Sequence, residues 1–586
     1  MPLSLRLLAS GVAGLVLATA AAVPAAAVPD VPDAPVAAIE AVRTAGTSAV
    51  EARRVGAVAT PHLRWYACYG WAQCATAEVP LDYDRPYGER TTVALLRVRA
   101  KDQAHKAGSL FVNPGGPGVS ATSFALVAPM VLSASLLERF DVVGMDPRGI
   151  GASDNVACFT DTGRQTAALK GMSVAFPVGA KQTRAYLKSV RKLAAGCSTT
   201  GRRLAGAMST AEVARDMDVM RRAVGDKKLS YLGFSYGTAL GQFYANMFPD
   251  RFRAIAVDGV INPRSWTGSA ATQGVIQDER LRSAQGAEKA LKRILTLCDK
   301  AGESRCAFAA GDPVRRFATL AGRLKARPVT LEGATLTYAT FISIVLSSLY
   351  AEDAPDEVTG LAHDLWTLTS THPSADAVAA ATSGVLRRQG RAFPYENSTD
   401  AYSAVMCTDG RHPASVSSWP AKVAKAVKRA PYFGQAWAWA SAPCARDIWQ
   451  VRDEDAYTGP FSRQTRNTVL VVGSYWDPAT NYYQAVGSAG LLADARLLSS
   501  DNFGHTAYGT SPCVTAAMDD YLLHKTLPAK GAVCRAAQPF TTKLEEVAAG
   551  TATLDLATAT KAEIAAQGLP PADAPKQRPP VGTFPF

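Results

Sequence analysis

No paired C-x-x-C and no H-E-x-x-H occurs anywhere in the sequence, so neither a zinc ribbon nor a zincin-type metal centre is written into it. The formal charge is +12, yet no basic run is interleaved with aromatics. Arg191-Lys192, Arg221-Arg222 and Lys227-Lys228 read as solvated helix faces, which argues against a nucleic-acid partner. No lysine of the Walker type follows a glycine loop, which argues against a phosphate cradle. Beyond the first residues there is no apolar run of about 20, so no integral membrane segment is expected in the mature chain. Histidine is scarce, with seven in 586 residues, and candidates for a catalytic base are correspondingly few.

Arg6 precedes an almost uninterrupted apolar stretch from Leu7 to Val23, closed by the small residues of Pro24-Ala25-Ala26-Ala27. That pattern predicts a signal peptide over 1–27 and a secreted, extracellular product. The Ala/Val/Pro-rich stretch 28–60 reads as a propeptide or a linker. All ten cysteines lie beyond the signal, and in an exported chain they read as disulfides rather than metal ligands. Their spacings fit sequential neighbours: 68–74, 158–197, 298–306, 407–444 and 513–534. Spacing alone leaves other connectivities open.

From Gly108 the pattern becomes alternating strand and helix. Leu110 to Asn113 reads as a buried strand running into Pro114-Gly-Gly-Pro-Gly118, and Asp141 to Asp146 as a second, stopped by Pro147-Arg-Gly149. Ser209 and Glu212 form a capping-box signature, followed by Val213, Met217, Met220 and Val224 at helical spacing. A strand at Leu229 to Leu232, a helix at Thr238 to Met247 and a strand at Ala254 to Val257 follow. This rhythm predicts βαβ units and a mostly parallel sheet. It breaks between Asn262 and Asp455, where helical patterns lack strand partners, and returns at Thr468 to Gly473 and Ala495 to Ser499. The expected organisation is a sheet core in two parts, 61–262 and 456–537, interrupted by a helical insertion over 263–455. A peripheral segment and loose tail occupy 538–586.

Gly233-Phe-Ser235-Tyr-Gly237 is G-x-S-x-G placed after one strand and before one helix, the setting of a nucleophile elbow. A serine hydroxyl needs a positioned base. His505 supplies it from Asp501-Asn-Phe-Gly-His505, a loop after the last strand. His363, His412 and His524 stand in helical or capping contexts, where a satisfied surface histidine is the plainer reading. Asp477 follows the preceding strand in Gly473-Ser-Tyr-Trp-Asp477-Pro and is the expected acid, with Asp501 as the alternative. The order Ser, Asp, His is that of the α/β-hydrolase fold. Backbone N–H groups of Tyr236 and Gly116 are the expected oxyanion donors. No cofactor and no metal is implied.

Asn113-Pro-Gly-Gly-Pro-Gly118, Asp146-Pro-Arg-Gly-Ile-Gly-Ala-Ser153, Gly233-Phe-Ser-Tyr-Gly237, Asp477-Pro478 and Gly504-His505 together resemble the secreted tripeptidyl aminopeptidases of actinobacteria. These belong with the prolyl-aminopeptidase branch of the α/β-hydrolase serine peptidases. The resemblance covers roughly 61–540 and implies an α/β-hydrolase fold with a helical cap. It also implies an exopeptidase that removes short peptides, often tripeptides, from the free N-termini of peptides or proteins. Such peptidases hold the substrate amine with acidic cap residues, for which Glu352, Asp353 and Asp409 are candidates. After Asp477 the chain reads Pro-Ala-Thr-Asn where relatives more often carry a second proline. A secreted esterase or lipase with the same triad, and a non-catalytic hydrolase-fold binding protein, are the competing readings.

Overall fold

A computed structural model describes residues 46–331, 334–369 and 397–541. The signal-peptide reading, His372 and most of the tail lie outside the described residues. Ten strands form one sheet: β1 (Tyr66–Cys68), β2 (Ala72–Pro80), β3 (Arg90–Val98), β4 (Gly108–Asn113), β5 (Phe140–Met145), β6 (Leu229–Phe234), β7 (Phe252–Asp258), then β10 (Val469–Trp476), β11 (Ala495–Phe503) and β12 (Val533–Cys534). Two short strands, β8 (Val329–Leu331) and β9 (Ala334–Leu336), pair separately. The spatial order is β1-β2-β3-β5-β4-β6-β7-β10-β11-β12. The pairs β1–β2, β2–β3 and β3–β5 are antiparallel, and every pair from β5–β4 to β11–β12 is parallel. This is the α/β-hydrolase fold.

The apolar strand runs follow from burial on both faces. Phe111, Tyr231, Ile255, Val257, Val469 and Val471 enter one core cluster, while Leu110, Val112, Leu232, Ala256, Leu470 and Val472 enter the other. Alternate residues therefore point to opposite faces, and no register leaves a polar side chain a wet side. The insertion builds its own core around Leu291, Ile294, Phe317, Phe341, Ile342 and Trp419. Its helices include Ser283–Ala301, Pro313–Ala326, Tyr338–Ser348, Ala354–Leu368 and Ser398–Asp409. The β8–β9 hairpin lies among them and pairs only with itself, a feature the helical reading of this region missed.

Several expectations are adjusted. The strands β1 to β3 precede the point at which an α/β pattern was legible, because they carry Gln, Thr, Glu and Arg on half-exposed edges. Residues 46–60, within the stretch read as propeptide or linker, are packed into the fold. The helix Ala49–Gly56 is capped by Ser48. It buries Val55 in the core, and its Glu51 accepts from Arg215 at 2.8 and 2.9 Å. Ser209 caps its helix by accepting from Glu212 N–H at 3.2 Å, but the Glu212 carboxylate pairs with Arg148 and Arg215 rather than closing the box. Arg221, read as part of a solvated face, is buried against Asp218. All ten cysteines are paired in the sequential order expected. Among the described residues no helix is long and apolar enough to cross a membrane.

Candidate active site

Ser235 joins β6 to the helix Tyr236–Met247 with φ 53° and ψ −123°. That backbone region is costly for a residue with a Cβ and persists only where the surroundings impose it. They do so through close packing. A Cβ on Gly237 would fall 2.6 Å from the Asn113 carbonyl oxygen, so only glycine lets the helix start this near β4. The serine is thereby lifted to the C-terminal edge of the parallel strands, where α/β folds place their chemistry.

His505 and Asp477 meet at the same edge from the loops after β11 and β10. The imidazole Nδ1 lies 2.9 Å from Asp477 Oδ2 and 3.1 Å from Oδ1. A carboxylate only accepts, so Nδ1 carries the proton and Nε2 is the basic nitrogen. Nε2 is buried and has no hydrogen-bond partner among the described residues. Asp477 is held by its own turn: Oδ1 accepts from Ala479 and Thr480 N–H at 2.8 Å each, and Oδ2 from the Thr480 hydroxyl at 2.8 Å. On the insertion side, the Tyr350 carbonyl accepts His505 N–H at 3.0 Å, and the Tyr350 ring stands edge-on to the imidazole at 5.1 Å. Burial lowers the proton affinity of His505, but the charge and hydrogen bond of Asp477, with the charge of Asp258, outweigh it and raise the pKa.

Ser235 and His505 flank the same peptide, Asp258–Gly259. The Asp258 carbonyl accepts Ser235 N–H at 3.1 Å. A Cβ on Gly259 would lie 3.1 Å from His505 Cε1. No hydrogen bond joins Ser235 to His505 here; such contacts commonly tighten only when substrate arrives.

The glycine loop after β4 closes over the serine. Gly115, at φ +102°, would place a Cβ 2.8 Å from Ser235 Cβ and 2.9 Å from Tyr236 N. Gly115 N–H is already donated to Asn113 Oδ1 at 2.9 Å, which leaves the Gly116 amide as the donor of the pair available to a ligand. Gly116 and Ser235 line the same pocket. The Asp146-Pro-Arg motif supports this loop from behind. Asp146 accepts from Ser120, Thr122 N–H and the Thr122 hydroxyl, each at 2.8 Å, fixing the chain just after Gly118. Arg148, fully buried, forks onto Asp216 at 2.6 and 2.8 Å.

The structure does not bring the three acidic candidates of the insertion into the pocket beside Ser235. Asp409 is buried beneath it, with Oδ1 accepting from Thr210 N–H at 2.7 Å and Oδ2 from Thr210 Oγ1 at 2.5 Å and Trp266 Nε1 at 2.8 Å. It supports the elbow, since Thr210 Oγ1 also meets the Tyr236 hydroxyl at 2.5 Å. Glu352 and Asp353 are exposed on the turn that follows Tyr350 and Ala351. Asp501 accepts from Ala536 N–H and faces the C-terminal segment, away from His505. His412 is buried rather than on the surface, its Nε2 3.0 Å from the Met406 carbonyl, and burial pushes its pKa down to about 3.

The acid that does line the pocket is Asp278, with Trp266, Leu281, Tyr402, Trp437 and Gln484 around it. It is 5% exposed, accepts from the Ser441 hydroxyl at 2.9 Å, and burial raises its pKa to about 7. In sequence, Gln277-Asp278-Glu279-Arg280 reads as a solvated helix start, and nothing local marks Asp278. The pocket encloses about 30 Å³, and Tyr402 also lines a second cavity of about 950 Å³ with Leu169, Met172, Val174, Tyr186 and Trp439.

Comparison with known proteins gives consistent results. A family described as TAP-like protein matches residues 430–534, and one described as alpha/beta hydrolase fold matches 108–297. The tripeptidyl aminopeptidase of Streptomyces coelicolor is 31% identical over 473 residues, covering 79% of this chain and 83% of that protein. Serine protease Hip1 of Mycobacterium tuberculosis is 31% identical over 486 residues, with 79% and 88% covered. Carboxylesterase B of the same organism is 32% identical over 503 residues, with 81% and 91% covered. The chain belongs to the tripeptidyl-aminopeptidase-like family of α/β-hydrolases and is a serine hydrolase of the peptidase kind.

Proposed function

We propose that this protein is a secreted serine exopeptidase that releases short peptides, tripeptides above all, from free N-termini through an acyl-enzyme on Ser235. In this mechanism His505 Nε2 takes the Ser235 hydroxyl proton as Oγ attacks the scissile carbonyl. The amides of Tyr236 and Gly116 receive the oxyanion, and His505 returns the proton to the leaving amine. Water then repeats the sequence on the ester. Asp477 keeps the proton on Nδ1 and offsets the charge of the imidazolium. Secretion is supported by the N-terminal pattern and by five disulfides.

The observation that carries the exopeptidase reading is Asp278, a buried carboxyl in the wall of the Ser235 pocket. An ammonium group entering there would ionise it and replace lost hydration with a charge-assisted hydrogen bond. Asp278 takes the amine-binding role for which Asp409, Glu352 and Asp353 were candidates.

Three substrates test the proposal: a tripeptide anilide with a free amine, its N-acetylated copy, and a short acyl ester. Cleavage of the first, with loss on acetylation, is the expected outcome. The relative named carboxylesterase B favours a second reading, an ester hydrolase with the same triad, and preference for the acyl ester would establish it instead.

A further inference from the structure

Asp258, the last residue of β7, has no part in the scheme above, yet it touches both halves of it. Its carbonyl oxygen accepts the N–H of Ser235 at 3.1 Å. Its Oδ2 accepts the N–H groups of Ala507 and Tyr508, 2.8 Å each, immediately beyond the histidine. Gly259, next in the chain, has φ +67° and lies against the ring, where a Cβ would meet His505 Cε1 at 3.1 Å and Thr506 Cγ2 at 2.8 Å. The remaining oxygen, Oδ1, is buried with no hydrogen-bond partner among the described residues.

An anchor for two amides requires only a carbonyl-type oxygen. Burying a full carboxylate with one oxygen unsatisfied carries a desolvation cost that such an anchor does not need. The charge therefore calls for its own explanation. The ionisable groups facing Asp258 are Asp477, from the loop after β10, and His505, from the loop after β11. From the insertion, Tyr350 closes on the other side of the imidazole. His505 is the one group of this set that becomes positive during acyl transfer.

We propose that Asp258 is a positioning residue of the catalytic machinery: it clamps the His505 loop to the nucleophile turn and sets a second negative charge beside the imidazolium that forms when Ser235 loses its proton. Asp258 itself takes no proton in the cycle; the Ser235 proton travels to His505 Nε2 and on to the leaving group. Burial holds the Asp258 carboxyl up to about 6, against the two amide bonds, so it is ionised at neutral pH. This inference rests on the triad reading of the proposed function.

Asp258→Asn tests it, because the amide oxygen still receives the two N–H groups while the charge is gone. The expected result is a kcat lower by about 10-fold at unchanged KM. The acid limb of kcat/KM should also move to lower pH, since one of the two charges that hold the His505 proton has been removed. Fluorophosphonate labelling of Ser235 should slow with the same pH shift, a readout independent of substrate identity. Acid limbs superimposable on wild type in both assays overturn the proposal. If the Asn variant does not fold, Asp258→Glu serves: the charge is kept and displaced, the acid limb stays, and kcat falls about 3- to 10-fold. A wild-type kcat in that variant overturns the clamp. Wild-type protein that does not label at Ser235 breaks the triad reading itself, whereas labelling with an unchanged Asn variant breaks only this inference.

Discussion

Two buried carboxylates, Asp477 at the sheet edge and Asp278 in the helical insertion, are satisfied by opposite routes. At the edge, the hydrogen bonds of Asp477 to its own turn span two or three residues, as does that of Asn113 to Gly115. In the insertion, Asp278 is held by Ser441, 163 residues away, and Asp409 by Thr210, 199 residues away. Asp477, the proposed acid, is oriented by a short loop whose geometry is set in the local sequence. Groups that shape the pocket are oriented by tertiary packing of distant helices.

The comparison predicts effects of graded size. Ser235→Ala should lower turnover by about 10⁶-fold with folding intact, and circular dichroism of the variant checks the second half. Asp477→Asn should lower kcat by about 10⁴-fold, because the imidazole loses its tautomer and its counter-charge. Asp278→Asn, on the insertion side, should leave hydrolysis of an acyl ester unchanged. It should lower kcat/KM on a free-amine tripeptide anilide by about 10- to 100-fold. A comparable loss on both substrates would erase the distinction between the two regions. In the intact enzyme the Asp278 carboxyl, raised to about 7 by burial, becomes protonated as pH falls through that value. KM for free-amine substrates should then rise on the acid side, while the acyl ester shows no such limb.

The smallest effect concerns stability. Glu212, Asp453 and Asp455 place carboxylate oxygens within 4.8 Å of one another where the insertion returns to the core, with Arg148 and Arg215 among them. Burial, together with the neighbouring Asp455, holds the Asp453 carboxyl well above the usual carboxylate range. A carboxyl raised in the folded state contributes stability that is present below its unfolded pKa and lost as pH rises through the folded value. Asp453→Asn should therefore melt higher than wild type at pH 9, by about 1–3 °C, with the gap closing toward pH 4. A constant gap across that range would mean that the carboxyl is not titrating there.

The same contrast explains what could be read from the chain. Ser235, Asp477, His505 and the glycine loop were legible because each sits within a few residues of a strand end, and strand ends are marked by apolar runs. Residues 46–60 were not, because Ala, Val and Arg in a short segment look like a linker until Glu51 meets Arg215, 164 residues away. Asp409 was expected as a partner for the substrate amine, but its own partners Thr210 and Trp266 turn it beneath the pocket. Asp278 was invisible, since its local surroundings are those of a solvated helix start. Asp258 closes an ordinary strand, and its meaning depends on the approach of the loop after β11.

A triad of Ser235, Asp477 and His505 working as one unit at the sheet edge makes the reactivity of the serine depend on the histidine. Fluorophosphonate treatment followed by digestion and mass spectrometry tests it most directly, on wild type and on His505→Ala side by side. A single adduct is expected on the peptide containing Ser235, formed at least about 10³-fold more slowly when His505 is replaced. An adduct at another residue, or equal labelling rates in the two proteins, would contradict it.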